Sequence, residues 1–142
     1  MHSDSTIHPD TIRAYEETHY CVLGENPITL MIGVAERLLA ELHQAHHVEC
    51  SAFVTAVNPF SRALDAPVNA DRQATLEDEI RRAGFEYVRG IGRHPSGTWP
   101  GEPSFLILGI SLSNAKQLGM QHMQNAIVWC DSDTVPKLIL LR

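Results

Sequence analysis

At 142 residues the chain has the length of one domain, and a domain of that size buries roughly 70% of the surface its unfolded chain exposes, enough for one ordinary core. Hydrophobic residues at 44% and charged residues at 20% sit near the globular average. No apolar run approaches the roughly 20 residues of a membrane span, the opening MHSDSTIHPD has no signal-peptide pattern, and a formal charge of −6 disfavours non-specific nucleic-acid binding, which needs a basic face.

Cys21, Cys50 and Cys130 form no CxxC pair and each lies in or beside an apolar run. They are read as buried free thiols of a protein in a reducing cytoplasm. Arg62, Arg72, Arg81, Arg82, Arg89 and Arg93 are balanced by Asp65, Asp71, Glu77, Asp78, Glu79 and Glu86, so the middle of the chain is locally neutral. Mixed charge of that kind marks a solvated helix face more often than an anion site.

In chain order, residues 1–8 are short, polar and terminal and are expected to be disordered. Asp10 or Pro9 starts a helix running to about Thr18. Residues 19–23 and 28–33 form a hairpin around the turn residues of GENP. Residues 34–45 are helical, with Val34, Leu38, Leu39 and Leu42 inward and Glu36, Arg37 and Glu41 outward. His43 and His47 close that helix four residues apart, the spacing of a metal pair, but no third ligand and no HExxH pattern accompany them, and a helix C-terminus favours imidazoles by its dipole alone. No metal and no cofactor is expected.

The stretch on which the other elements are expected to pack is SAFVTAVNPFS, residues 51–61. Its apolar run reads as a buried strand over about residues 50–57, and Asn58-Pro59 ends it, because proline cannot continue a central ladder. A helix follows over 69–83, with Asn69 as N-cap and Gly84 beyond its end. Phe85 to Gly90 alternates as a strand. The irregular segment 91–101, holding His94 and Trp99, is placed as a lid over a functional rim. Residues 105–110 form a continuous apolar strand, Ser111 or Ser113 caps a helix to about Met123, and strands over 126–130 and 137–141 complete the sheet. The fold class is α+β: a single domain over residues 9–142, with a mixed, largely antiparallel sheet of about six strands packed with three to four helices.

Polar residues border three of these strands: Asn58 with Ser61, Glu102 with Ser104, and Gln124 with Asn125. Amide side chains carry donor and acceptor together, which suits recognition of a polar ligand. If Asn58 ends its strand where Glu102 and Gln124 begin theirs, the strands are antiparallel and the groups share one rim. Glu102, next to an aromatic and under a lid, has the setting for a raised pKa and for general acid or base work, with His94 as partner. The bland alternative is a carboxylate bracing its own loop or paired with Arg72 or Arg93. Ser104 has no nucleophile elbow around it, and GIG within RGIGRHPSG is too incomplete to mark a phosphate site.

TAVNPFS at 55–61, the spacing of Asn69 and Arg72, WPGEPSFLILGIS at 99–111 and QNAIVW at 124–129 resemble the bacterial family of unknown function DUF3293, in family order from the first hairpin onward. Where that family usually has Phe-Gly before the Gln of the last motif, this chain has His122-Met123. The resemblance implies a small stand-alone cytoplasmic bacterial protein. It implies no activity, and singles out Asn58, Arg72, Glu102, Ser104, Gln124 and Asn125 without giving them roles.

The function expected on these grounds is binding of a small polar or anionic ligand, or of a short peptide or nucleotide segment. The candidate ligand-binding residues are Asn58, Ser61, Asn69, Arg72, Glu102, Ser104, Gln124 and Asn125, with Arg72 on the anionic part. Two alternatives stand beside it. One is a small hydrolase or transferase using Glu102 and His94. The other is an interaction module or homodimer pairing through the apolar C-terminal strand KLILL, whose Pro136 fits an edge.

Overall fold

The computed structural model describes residues 5–97 and 100–142. The chain enters through α1 (Pro9–Glu17), and its cap is His8, whose Nδ1 accepts the Asp10 N–H at 3.0 Å. Asp10 therefore sits inside the first turn instead of before it. Of the stretch 1–8, residues 1–4 lie outside the described residues; beyond them Ile7 is buried and Ser5 Oγ donates to the Arg142 carbonyl at 2.8 Å.

The hairpin is present as β1 (His19–Val22) and β2 (Ile28–Leu30). The helix expected over 34–45 starts later, as α2 (Arg37–Ala45), with the Glu36 carboxylate accepting the Leu38 N–H at 2.9 Å. Two backbone bonds hold the preceding segment, which contains a turn at Ile32-Gly33, out of the helix: Gly33 N–H to the Pro136 carbonyl and Glu36 N–H to that of Thr134. The inward face shifts accordingly: Leu39 and His43 are buried, whereas Val34 and Leu38 are exposed.

β3 (Ser51–Val54) is buried at every position. After a single 3₁₀ turn (Pro59–Ser61) comes α3 (Ala66–Arg82), which begins three residues before Asn69 and has Asp65 at its N-cap position. The strands on either side of the expected lid are longer than their apolar runs suggest: β4 (Tyr87–Arg93) and β5 (Glu102–Leu108) pair as far as Gly92 opposite Glu102. Residues 91–93, expected within the irregular segment, are thus strand. Ser111 caps α4 (Leu112–Gln121), accepting the Asn114 N–H at 3.1 Å. β6 (Ala126–Cys130) and β7 (Lys137–Leu140) complete the chain.

The domain is α+β, and its described residues form four α-helices and one seven-stranded sheet in the order β2-β1-β4-β5-β3-β6-β7. Every pairing is antiparallel. Alternate residues of β3 and β5 serve two cores. Phe53, Leu106 and Leu108 pack with Leu39 of α2, and Ala52, Val54, Phe105 and Ile107 pack with Leu76 and Ile80 of α3 and Ala115 of α4. Helices on both faces explain why Ala52 to Val54 and Phe105 to Leu108 are apolar at consecutive positions, without the alternation of a half-solvated sheet. The Phe53 ring meets Tyr20 edge-on at 5.4 Å; it also approaches Gly90 so closely that a Cβ there would lie 2.6 Å from it. Cys130 is fully buried and Cys21 and Cys50 half-buried, all as free thiols. No helix among the described residues is long and apolar enough to cross a membrane.

Candidate functional site

Because β3 runs antiparallel to β5 and to β6, its outgoing end meets the incoming ends of both. The segment from Thr55 to Ser61 leaves the sheet there, so its backbone groups lose their ladder partners and must be satisfied otherwise. Side chains from distant elements do this. Gln73 Oε1 accepts the Ala56 N–H at 3.1 Å, and Arg72 Nε donates to the Ala56 carbonyl at 2.8 Å. Gln124 Nε2 donates to the Val57 carbonyl at 3.2 Å, and Asn69 Oδ1 accepts the Asn58 N–H at 2.9 Å.

Asn58 is the centre of this rim. Its Oδ1 accepts from Asn69 Nδ2 at 2.8 Å and from the Leu64 N–H at 3.0 Å, while its Nδ2 donates to Glu102 Oε2 at 2.9 Å. It holds a left-handed backbone with φ 48°, and Phe60 at φ 53° and Ser61 at φ 60° do the same. Each such residue costs on the order of 1–2 kcal/mol relative to ordinary backbone, a cost that Asn bears best because of its short polar side chain. The Asn69 side chain, expected to cap a helix, instead ties Asn58 and the Leu64 carbonyl.

Glu102 shares the strand parity of Leu106 and Leu108 and so faces the same side of the sheet as Tyr20. Burial pushes its carboxyl above the ordinary carboxylate range, and the Asn58 hydrogen bond opposes that shift only in part. Burial likewise raises the Tyr20 phenol, to which the nearby Glu102 charge adds. Among the described residues no cation lies within ion-pair distance of Glu102. Ser104 is buried and donates back to the Glu102 carbonyl at 3.0 Å.

Arg72 reaches the rim from α3, on the opposite face of the sheet. Besides the Ala56 carbonyl it binds that of His122 through Nη2 at 2.9 Å, and Gln124 Nε2 shares the His122 carbonyl at 3.2 Å. Of the eleven Lys and Arg residues, ten are exposed and Arg72 alone is half-buried. No carboxylate among the described residues lies within ion-pair distance of it.

Ser61 and Asn125 belong to a neighbouring cluster. Asn125 Nδ2 donates to Tyr15 OH at 3.0 Å and to Ser61 Oγ at 3.3 Å, Tyr15 and Ser61 are themselves hydrogen-bonded, and Asn125 Oδ1 accepts from Arg142 at 3.2 Å. The Arg142 guanidinium lies 4.1 Å over the Phe60 ring. Tyr15 carries no sequence signal for this role, since its partner Asn125 is 110 residues away. His122 was also missed: its ring hydrogen-bonds Glu79 Oε1 at 2.6 Å, and its carbonyl anchors both Arg72 and Gln124.

The two histidine expectations resolve differently. His94 hydrogen-bonds Ser96 Oγ at 2.7 Å and Glu17 Oε1 at 3.2 Å, so it leans toward α1, and no hydrogen bond joins it to Glu102. The Trp99 beside which Glu102 was expected lies outside the described residues. His43 is buried against Ser51 Oγ at 2.8 Å, while α2 ends before His47, which turns away with φ 55°. The pair therefore does not face one way, and no group of metal-ligating residues is assembled among the described residues.

A family model described as a protein of unknown function, DUF3293, matches residues 54–127, just over half of the chain. That span runs from the last residue of β3 into β6, so it takes in Asn58, Arg72, Glu102 and Gln124 together. No curated protein and no solved structure matches the chain.

Proposed function

We propose that this chain, which belongs to the DUF3293 family, binds a small anionic ligand at the strand-end rim, with Arg72 as its anchor. One observation carries the reading: among the described residues Arg72 is the one Lys or Arg side chain partly withdrawn from solvent, it is held by two carbonyls, and no carboxylate lies within ion-pair distance of it. A partly desolvated cation without a counter-charge is costly to maintain, and a fixed guanidinium is suited to a carboxylate or phosphate oxygen. The amides are support for this anchor. Both N–H groups of Asn69 Nδ2 are occupied, as is the Asn58 carbonyl oxygen, twice.

The test is thermal unfolding against a panel of anionic metabolites and nucleotides, for the natural chain and for Arg72→Ala. A ligand at a hundred times its dissociation constant stabilises by about 2.7 kcal/mol. The expected result is a ligand-induced shift that disappears in the variant, each protein being compared with its own unliganded state. A panel without any shift, or a shift that survives in Arg72→Ala, refutes the reading.

The catalytic alternative rests on Glu102 alone, whose raised pKa suits an acid or base, since His94 is engaged elsewhere. The self-association alternative rests on β7, an edge strand whose Leu138, Ile139 and Leu140 are half-exposed. Sedimentation equilibrium on the natural chain and on Ile139→Lys separates it from the ligand reading: a dimer abolished by the substitution supports it, and a monomer throughout excludes it.

A further inference from the structure

Among the described residues eight large hydrophobic side chains are exposed, and four of them, Leu64, Val68, Met120 and Met123, belong to the segments that flank Arg72. Val68 precedes Arg72 by four residues on α3 and so stands on the same face, one turn nearer the helix start. Helical side chains lean toward the N-terminus, which carries the Arg72 guanidinium over that turn, where it meets the His122 carbonyl at 2.9 Å. Met123 follows His122, and its carbonyl accepts the Phe60 N–H at 2.8 Å. Leu64 is fixed on the other margin, its N–H on Asn58 and its carbonyl on Asn69. Apolar side chains thus border the pinned Arg72 guanidinium.

Building on the anion-binding reading of Arg72, we infer that the ligand is an amphiphilic monocarboxylate, its head on Arg72 and its hydrocarbon part over Leu64, Val68 and Met123. Charge complementarity selects the head. One guanidinium matches one negative charge, and a chain of net charge −6 repels a polyanion. The exposed apolar side chains select the tail, because covering them removes hydrocarbon from water on both partners. Methionine at the border adapts to tails of different shape.

The experiment is a titration of the full chain with butyrate, hexanoate and octanoate, and with octylammonium as the matched cation. It is followed by calorimetry and by the NMR signal of the Arg72 Nε–H. The expected result is an Arg72 shift with every carboxylate and affinity rising about two- to fourfold per added methylene, the upper value corresponding to about 0.8 kcal/mol. Octylammonium should leave the Arg72 signal unmoved. In Leu64→Ser with Val68→Ser, two exposed positions, the advantage of octanoate over butyrate should shrink at least threefold, and an undiminished advantage removes the tail assignment. Carboxylates that move Arg72 with no dependence on chain length overturn the amphiphile and leave the anion reading standing. If no carboxylate moves Arg72, both fall. Octylammonium moving Arg72 as octanoate does removes the head-group assignment.

Discussion

The side-chain amide of Asn58 donates to Glu102 Oε2 at 2.9 Å, joining the outgoing end of β3 to the incoming end of β5. The partner it holds is a carboxylate that burial has made harder to ionise. With a native pKa above the unfolded value of 4.5, the native state binds more protons than the unfolded one between those two values. Stability contributed by this group is therefore fully present below the unfolded pKa and is lost as pH rises through the native pKa. Glu102→Gln keeps an acceptor for Asn58 and removes the charge. Its melting temperature relative to the natural chain should rise between pH 4 and pH 7, as read by circular dichroism; an unchanged or falling difference contradicts the assignment.

Asn58 and Asn69 exchange two hydrogen bonds, so their losses should not add. Asn58→Ala is expected to cost about 2–3 kcal/mol, because it strands the Leu64 N–H and places alanine in a left-handed conformation. Asn58→Gly should cost less, being free of the backbone penalty. In a urea-denaturation cycle with Asn69→Ala, a coupling of at least about 0.5 kcal/mol is expected for residues in one network.

Helix α4 ends in a Schellman motif: the Met123 N–H returns to the Met120 carbonyl and the Gln124 N–H to that of Gly119. That motif requires a left-handed residue, here Met123 at φ 56°, where the resembling family usually has glycine. Met123→Gly should stabilise the domain by about 1 kcal/mol, seen as a melting temperature raised by about 2–4 °C for a domain of this size. Met123→Ala should bring no such gain.

Buried His43 hydrogen-bonds Ser51 Oγ, and Ser51 faces Cys130 across the β3–β6 ladder. Burial raises the Cys130 thiol to about 12, so it stays neutral through the physiological range. Burial lowers the His43 pKa below 6.5. The unfolded chain then binds the proton first, so stability is complete above about 6.5 and falls as the solution is acidified toward the native pKa. His43→Gln should be less stable than the natural chain by about 1–2 kcal/mol at pH 7.5, with the gap narrowing by pH 5.5 in urea titrations.

At Gly90 an added Cβ would lie 2.6 Å from the Phe53 ring and 2.8 Å from the Cys21 carbonyl oxygen. The second contact is backbone in a paired strand and cannot swing aside. Gly90→Ala should therefore destabilise by about 1–3 kcal/mol, measured by urea denaturation, and Phe53→Leu in the same chain should recover part of the loss.

Much of the fold is legible in the sequence. Gly-Glu-Asn-Pro marks the β1–β2 turn, the apolar runs at 52–54 and 105–108 mark buried strands, and Asn58-Pro59 marks where β3 leaves the sheet. The structure departs from the sequence pattern at element ends. β5 begins at Glu102 because pairing with β4 overrides the polar composition of Glu102 to Ser104. α2 begins at Arg37 because bonds to Pro136 and Thr134 hold residues 33–36 out of the helix, and α3 begins at Ala66, with Pro67 in its first turn, which leaves the Asn69 side chain to bond Asn58.

What the sequence determined by itself was the class, the succession of elements and the polar residues that border them. These follow from local physics: side-chain periodicity, the fixed φ of proline and the turn preferences of glycine and asparagine. Tertiary structure alone decided how those polar residues are used. Strand order brought Asn58 to Glu102, placed Arg72 against the Ala56 and His122 carbonyls, and carried Tyr15 to Asn125 while His94 turned to Glu17. Hydrogen-bonding capacity belongs to a residue type, but the choice of partner depends on which ends of the chain folding brings within three ångströms.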